Sequence, residues 1–138
     1  MPAKDIYHDI VKNALIKDGW TVTDDPLRLK WGLRELFVDL GLTKLISAQK
    51  ANQTIAVEIK SFTNPSPIAD LEQALGQYLI YQAILEETKP EYFLYLAIRQ
   101  VTYGAIFSEP IGNLLIQKYQ INLLIFDAKK AEIVRWIT

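Results

Sequence analysis

The sequence predicts an α/β fold, a single domain over residues 1–138 in which a mixed β-sheet is flanked by helices. Three observations carry this. Segments with helical hydrophobic periodicity alternate with short strand-like runs. Two of those runs, "YFLYLAIRQ" and "INLLIFD", are almost continuously apolar, as strands buried on both faces are. The chain has 138 residues, 50% of them hydrophobic, which suffices for one core and not for two.

The elements follow in the order α-β-β-β-α-β-α-β-β. In "KDIYHDIVKNALIKDGW", Ile6, Tyr7, Ile10, Val11, Ala14 and Leu15 share one broad helical face. Asp5, His8, Asp9 and Lys12 take the solvated side, and Gly19 ends the helix. "WTVTDD" alternates as a short strand closed by Pro26. "RELFVDLG" is the second strand, "LTKLISAQKANQ" a polar turn region and "TIAVEIKSF" the third strand. Ser66 then caps and Pro67 opens a long helix over 68–87. After "YFLYLAIRQ", expected near the sheet centre, "VTYGAIFSEPIGNLLIQKYQ" reads as helical pieces broken near Pro110. "INLLIFD" and the closing "AEIVRWIT" are the last strands.

Composition excludes several chemistries. There is no cysteine, hence no disulfide framework, thiolate zinc site or Cys nucleophile, and a single histidine rules out a His-built metal site. No serine-hydrolase elbow, P-loop or dinucleotide fingerprint occurs. The N-terminal stretch lacks a signal-peptide pattern and no run reaches spanning length, so a soluble cytoplasmic protein with no membrane association is expected. Net charge is −1, yet residues 28–60 hold six bases (Arg28, Lys30, Arg34, Lys44, Lys50, Lys60) against three acids (Glu35, Asp39, Glu58). That bias either aims one face at a phosphate backbone, with Arg28, Lys30 and Arg34 as DNA contacts, or marks a solvated hairpin. Trp31, inside the basic run, is open to base stacking, although a buried or partly buried structural tryptophan is the expectation.

The chemistry-bearing residues are Asp39 and the Glu58-Ile59-Lys60 run. In a strand, Glu58 and Lys60 leave one face together while Val57 and Ile59 leave the other. Asp39 lies among apolar neighbours, where a carboxylate is costly unless paired or bound to a cation. Two carboxylates from adjacent strands repel unless a divalent cation lies between them, and Mg²⁺ suits hard oxygen ligands and phosphate substrates. Lys60 can then hold a water or stabilise developing negative charge. Taken alone, the three residues are better described as a solvent-facing E-x-K pair and an aspartate opening a turn, because the motif is short and degenerate.

The order of elements, a meander carrying D then E-x-K between two helices, resembles the restriction-endonuclease-like, or PD-(D/E)xK, nucleases. More narrowly, "MPAKDIYHDIVKNALIKDGW", "DPLRLKWG", "VDLG", "AVEIKSF", "LEQALGQYLIY" and "EPIGNLLI" resemble the XisH family, small cyanobacterial proteins described as fdxN element excision controlling factors. The resemblance implies a nuclease-like fold and a role in developmentally controlled DNA excision, in association with a recombinase and a companion factor, XisI. It also implies that Asp39 and Glu58 hold Mg²⁺ (or Mn²⁺) with the backbone carbonyl of Ile59, and that Lys60 acts on the attacking water. Val38 stands where the superfamily has its proline. Gln77 and Tyr81 match a Q-x-x-x-Y pair on the following helix, Gln77 supporting the lysine, with Gln73 on the same stripe and Gly76 allowing close approach to the sheet. A carboxylate from the first helix, Asp9, or else His8, is a candidate support, though membership of the solvated helix face is the expectation for both. Two functions remain open: a Mg-dependent endonuclease acting on DNA, with a homodimer expected if both strands are cut, and a non-catalytic accessory factor that binds XisI or DNA on a nuclease scaffold.

Overall fold

A computed structural model describes residues 4–49 and 51–138, so Lys50 of the basic stretch lies outside it. Helix α1 (His8–Lys17) presents Val11, Ala14 and Leu15 to the core. It ends as Gly19 implies. Gly19 has φ +94°, its N–H donates to Ile16 O at 3.0 Å, and the Trp20 N–H reaches back to Leu15 O at 3.0 Å. Strands β1 (Thr21–Asp24), β2 (Leu27–Trp31), β3 (Arg34–Val38), β4 (Leu40–Lys44) and β5 (Gln53–Ile59) follow. Helix α2 (Pro67–Thr88) starts with Ser66 Oγ accepting from the Ala69 N–H at 3.2 Å, and Pro67 sits in its first turn. Next come β6 (Tyr92–Arg99), a short α3 (Gln100–Thr102) running into a π-helical turn (Tyr103–Phe107), α4 (Pro110–Tyr119), β7 (Leu123–Asp127) and β8 (Glu132–Ile137).

The main sheet has six strands in the order β1-β4-β5-β6-β7-β8. Its centre, β5-β6-β7, is parallel and its flanks are antiparallel. The apolar runs expected to be central are so: Leu94 to Ile98 and Leu123 to Phe126 are all buried. The α/β architecture thus follows expectation, with two differences in detail. "RELFVDLG" is not one strand but two, interrupted at Asp39, and β4 continues to Lys44, into the segment expected as a turn. The unassigned "LRLKW" is strand β2, which pairs with β3 as a separate two-stranded sheet. The chain therefore leaves one sheet and enters the other at Asp39, whose side chain need fit neither ladder.

Two apolar layers enclose the main sheet. On one face Ile55, Val57 and Ile59 pack with α1, Trp20 and Tyr95. On the other, Ala56 joins α2, the hairpin residues Leu27 and Leu29, and the π-turn residues Ile106 and Phe107. Tyr78 stitches α2 to the sheet: its hydroxyl donates to Leu94 O at 3.2 Å and accepts from the Asn122 N–H at 3.0 Å. Gly112 is buried where a Cβ would strike the backbone of Ile106 and Phe107, so only glycine lets α4 lie against the π-turn. Among the described residues no helix is long and apolar enough to cross a membrane.

Candidate metal and phosphate site

Glu58 leaves β5 on the same face as Ala56, towards α2 and the hairpin, while its neighbours enter the opposite layer. That face would be ordinary core but for the break at Asp39. Because β4 begins with Leu40 opposite Val57, Asp39 stands beside Glu58. Two crossed hydrogen bonds fix them. The Asp39 N–H donates to Glu58 Oε1 at 3.2 Å, and the Ile59 N–H donates to Asp39 Oδ2 at 2.7 Å. Lys60 follows on the same face, its N–H anchored to Ala97 O at 3.1 Å.

These residues line a cleft of about 520 Å³ together with Lys4, Asp5, Glu35, Leu36, Phe37, Ile59, Gln77 and Tyr81. The Ile59 side chain is packed in the far layer, so its main chain is what it offers to the cleft. Glu58 is only 7% exposed. Burial, and then the charge of Asp39, pushes its pKa up to about 9, against a smaller opposing effect of Lys60. Burial also raises Asp39, although the Ile59 N–H stabilises its charged form. At neutral pH the pair therefore holds a proton between its members. Tyr81 is raised as well, by burial first and then by the charges of Glu58 and Asp39, so its hydroxyl remains a donor.

Gln77 lines the cleft with its Oε1 buried and unpartnered among the described residues. Gln73, one turn earlier, is exposed and does not line it. Gly76 faces open space on the outer side of α2, so close approach to the sheet is not its role. Asp9 is exposed on α1 as expected and is outside the cleft. His8, expected on the solvated face, is buried instead. Its Nε2 lies 2.7 Å from Asp25 Oδ1, while Lys12 Nζ donates to Asp25 Oδ2 at 2.7 Å. Burial opposes the charge on Asp25, but the Lys12 hydrogen bond and His8 outweigh it and hold the carboxyl below its usual range. His8 consequently donates to an ionised partner, and it acts on Asp39 only through its field.

The acid that the N-terminal segment brings to the cleft is Asp5, which sequence reasoning missed. It precedes the first helical residue, so helical phase says nothing about where it points. Its Oδ2 accepts from the Ser61 N–H at 3.0 Å and its Oδ1 from the Tyr7 N–H at 2.9 Å. Ser61 O in turn accepts from Arg99 Nη2 at 2.8 Å, and the Arg99 guanidinium lies 5.1 Å from the Tyr7 ring centroid. The residue after Lys60 is thus clamped at both its N–H and its C=O, which limits how far the lysine backbone can drift.

The donor set suits a hard divalent cation: a carboxylate from the β3–β4 break, another from β5 and adjacent main chain, in a cleft open enough to retain waters. Among the described residues no group of three or more His, Cys, Asp or Glu side chains is placed to hold a metal, so any ion here relies on two carboxylates, main chain and water or substrate oxygen. Arg28, Lys30 and Arg34 stand on the neighbouring hairpin. Arg28 is paired with Glu35 at 2.6 Å, and all three are exposed.

The XisH protein family model matches residues 1–134. No curated protein matches the chain. Two crystal structures match over nearly the whole length. An XisH family protein from Nostoc punctiforme PCC 73102 is 35% identical, with a TM-score of 0.88, over 97% of this chain and 100% of that one. A fdxN element excision controlling factor protein from Anabaena variabilis is also 35% identical, with a TM-score of 0.87, over 98% of this chain and 100% of that one. With a family model spanning almost the whole sequence and two full-length structural counterparts, the chain belongs to the XisH family.

Proposed function

We propose that this protein is an excision controlling factor, like its Anabaena variabilis relative, and that its cleft hydrolyses DNA phosphodiesters with Mg²⁺ or Mn²⁺. The observation that carries the reading is the convergence of Asp39, at the β3–β4 break, and Glu58, on β5, on one side of a cleft that Lys60 also lines. A raised, proton-sharing acid pair is poorly suited to stabilising a fold and well suited to exchanging that proton for a cation. When bound, the cation would supply Lewis-acid polarisation of the scissile phosphate.

The remaining work falls to side chains of this chain. Asp39 and Glu58 would hold the ion with the main chain of Ile59. Lys60 orients the attacking water and balances negative charge developing on the phosphate oxygens. Gln77 Oε1 accepts a hydrogen from that water or from the lysine ammonium, which gives the buried carbonyl its partner. Tyr81 stays protonated and donates towards the acid pair or a phosphate oxygen. A recombinase and an XisI-like companion would be the partners in the excision pathway.

The test is incubation of the purified protein with plasmid, flap and four-way-junction DNA in the presence of Mg²⁺ or Mn²⁺. Wild type should nick or cut at least one substrate, with Asp39→Ala and Lys60→Ala both inactive. Wild type and both variants behaving alike, while still capturing an XisI-like companion, would favour a scaffold without catalysis.

A further inference from the structure

The β2–β3 hairpin does something that its own packing does not explain. Leu27, Leu29 and Val38 anchor its base in the core against α2. Its tip carries the reverse pattern. Trp31 is 54% exposed, contrary to the structural role its sequence context suggests, and Leu33 is fully exposed. Gly32 has φ +61° while Leu33 does not adopt positive φ, and Trp31 pairs with Arg34. This is a two-residue turn with glycine first, a stiff connection that holds both apolar side chains out in water. Such exposure is unfavourable in isolation and indicates a surface built to meet something.

Charge and position identify that partner. The hairpin carries three bases and one acid in a chain of net charge −1. The acid, Glu35, is neutralised by Arg28 at 2.6 Å. Lys30 and Arg34 flank the tip, and neither closes an ion pair among the described residues. The same strand supplies Glu35, Leu36 and Phe37 to the wall of the cleft. From Glu35 to the turn is two residues, roughly 7 Å of strand, so a nucleic-acid strand seated in the cleft passes within reach of the tip. An exposed aromatic ring with Arg34 across the ladder on its own face and Lys30 on the other, on a hairpin that also lines the cleft, fits a nucleic acid with an accessible base better than it fits an acid-rimmed protein surface.

We infer that the hairpin tip is a wedge, in which Trp31 and Leu33 stack on an unpaired or unstacked base of DNA while Lys30 and Arg34 hold the adjoining phosphates. It sets the substrate class as branched or locally single-stranded DNA. The inference rests on reading the cleft as a site for DNA. An intact duplex offers no exposed base face, and opening one costs a few kcal/mol per step, so the wedge works against uniform duplex and for flaps and junctions.

The test separates this from hydrolysis by measuring binding in EDTA, where no cutting occurs. Labelled single strand, blunt duplex, 3′-flap and four-way junction are titrated with the full-length chain. Wild type should bind flap and junction more tightly than duplex. Trp31→Ala should weaken flap and junction binding roughly 5- to 100-fold, as loss of one base stack does, with Trp31→Phe retaining most of the affinity. The double change Lys30→Ala, Arg34→Ala should weaken all DNAs alike and flatten the salt dependence by up to about two phosphate contacts. Equal losses on every DNA for Trp31→Ala, no loss at all, or no DNA binding by wild type overturns the wedge. So does a Trp31→Ala change that alters only the sedimenting mass, which would make the tip a contact between copies. A wild type that prefers junctions yet never cuts with Mg²⁺ or Mn²⁺ leaves the wedge standing and removes hydrolysis. One that cuts plain duplex unaffected by Trp31→Ala does the reverse.

Discussion

Asp39 and Glu58 each use the other's strand: the Asp39 N–H donates to Glu58 Oε1 at 3.2 Å, and the N–H next to Glu58, that of Ile59, donates to Asp39 Oδ2 at 2.7 Å. The crossing holds both carboxyl groups in place before any cation arrives, so binding need not first order them. It also keeps together two groups that burial pushes towards protonation, Glu58 further so by the charge of Asp39. The arrangement trades stability for readiness.

Cation binding should therefore release a proton. With Glu58 pushed up to about 9, the pair must lose its shared proton for the ion to enter, so affinity rises with pH below that value. Calorimetric titration with Mn²⁺ should show about a tenfold gain per pH unit between about 6 and 8, since one proton is exchanged. Asp39→Asn should abolish the binding. An affinity independent of pH over that range would remove the two acids as joint ligands.

Glu58→Gln should stabilise the metal-free protein. A carboxyl whose folded pKa is raised from 4.5 to about 9 favours the folded state below 4.5 and loses that contribution as pH climbs through 9. The glutamine keeps an oxygen for the Asp39 N–H and cannot ionise. Its advantage over wild type in chemical denaturation should be small near pH 5, grow through neutral pH and reach roughly 3–6 kcal/mol at pH 9. A uniform difference at all pH values would contradict the assignment of the raised group.

Gln77→Leu should separate support of the site from support of the fold. Its Oε1 is buried without a partner, and leucine removes that carbonyl at similar size. Thermal stability should stay within about 0.5 kcal/mol of wild type or rise. DNA cleavage should fall about 10- to 100-fold, the scale of a mispositioned proton acceptor.

Gly112→Ala should be the most damaging small substitution in the C-terminal half. The added methyl would meet main chain of Ile106 and Phe107, which cannot rotate away as a side chain can. A loss of about 3 kcal/mol or more is expected in denaturant titration, at the upper end for overpacking. Gly76→Ala, with open space at its Cβ, should instead stabilise α2 by up to about 1 kcal/mol.

The sequence by itself determined the alternation of elements, the Ser66–Pro67 start and Gly19 stop of the two long helices, and the burial of β6 and β7. These are local matters, fixed by side-chain periodicity, capping chemistry and backbone freedom within a few residues. It also made Asp39, Glu58 and Lys60 recognisable as residues of interest, since charges among apolar neighbours need a reason. Tertiary structure alone decided the rest. It split "RELFVDLG" at Asp39, because β3 pairs with β2 rather than continuing the main sheet, and strand pairing is a long-range choice that local propensity does not encode. It turned His8 inward to Asp25 and brought Asp5 to the cleft, since hydrogen-bond partners 17 and 56 residues apart leave no periodic trace. It left Trp31 in water at the end of a hairpin, because exposure depends on whether another element reaches a side chain, and none of the described elements buries this one.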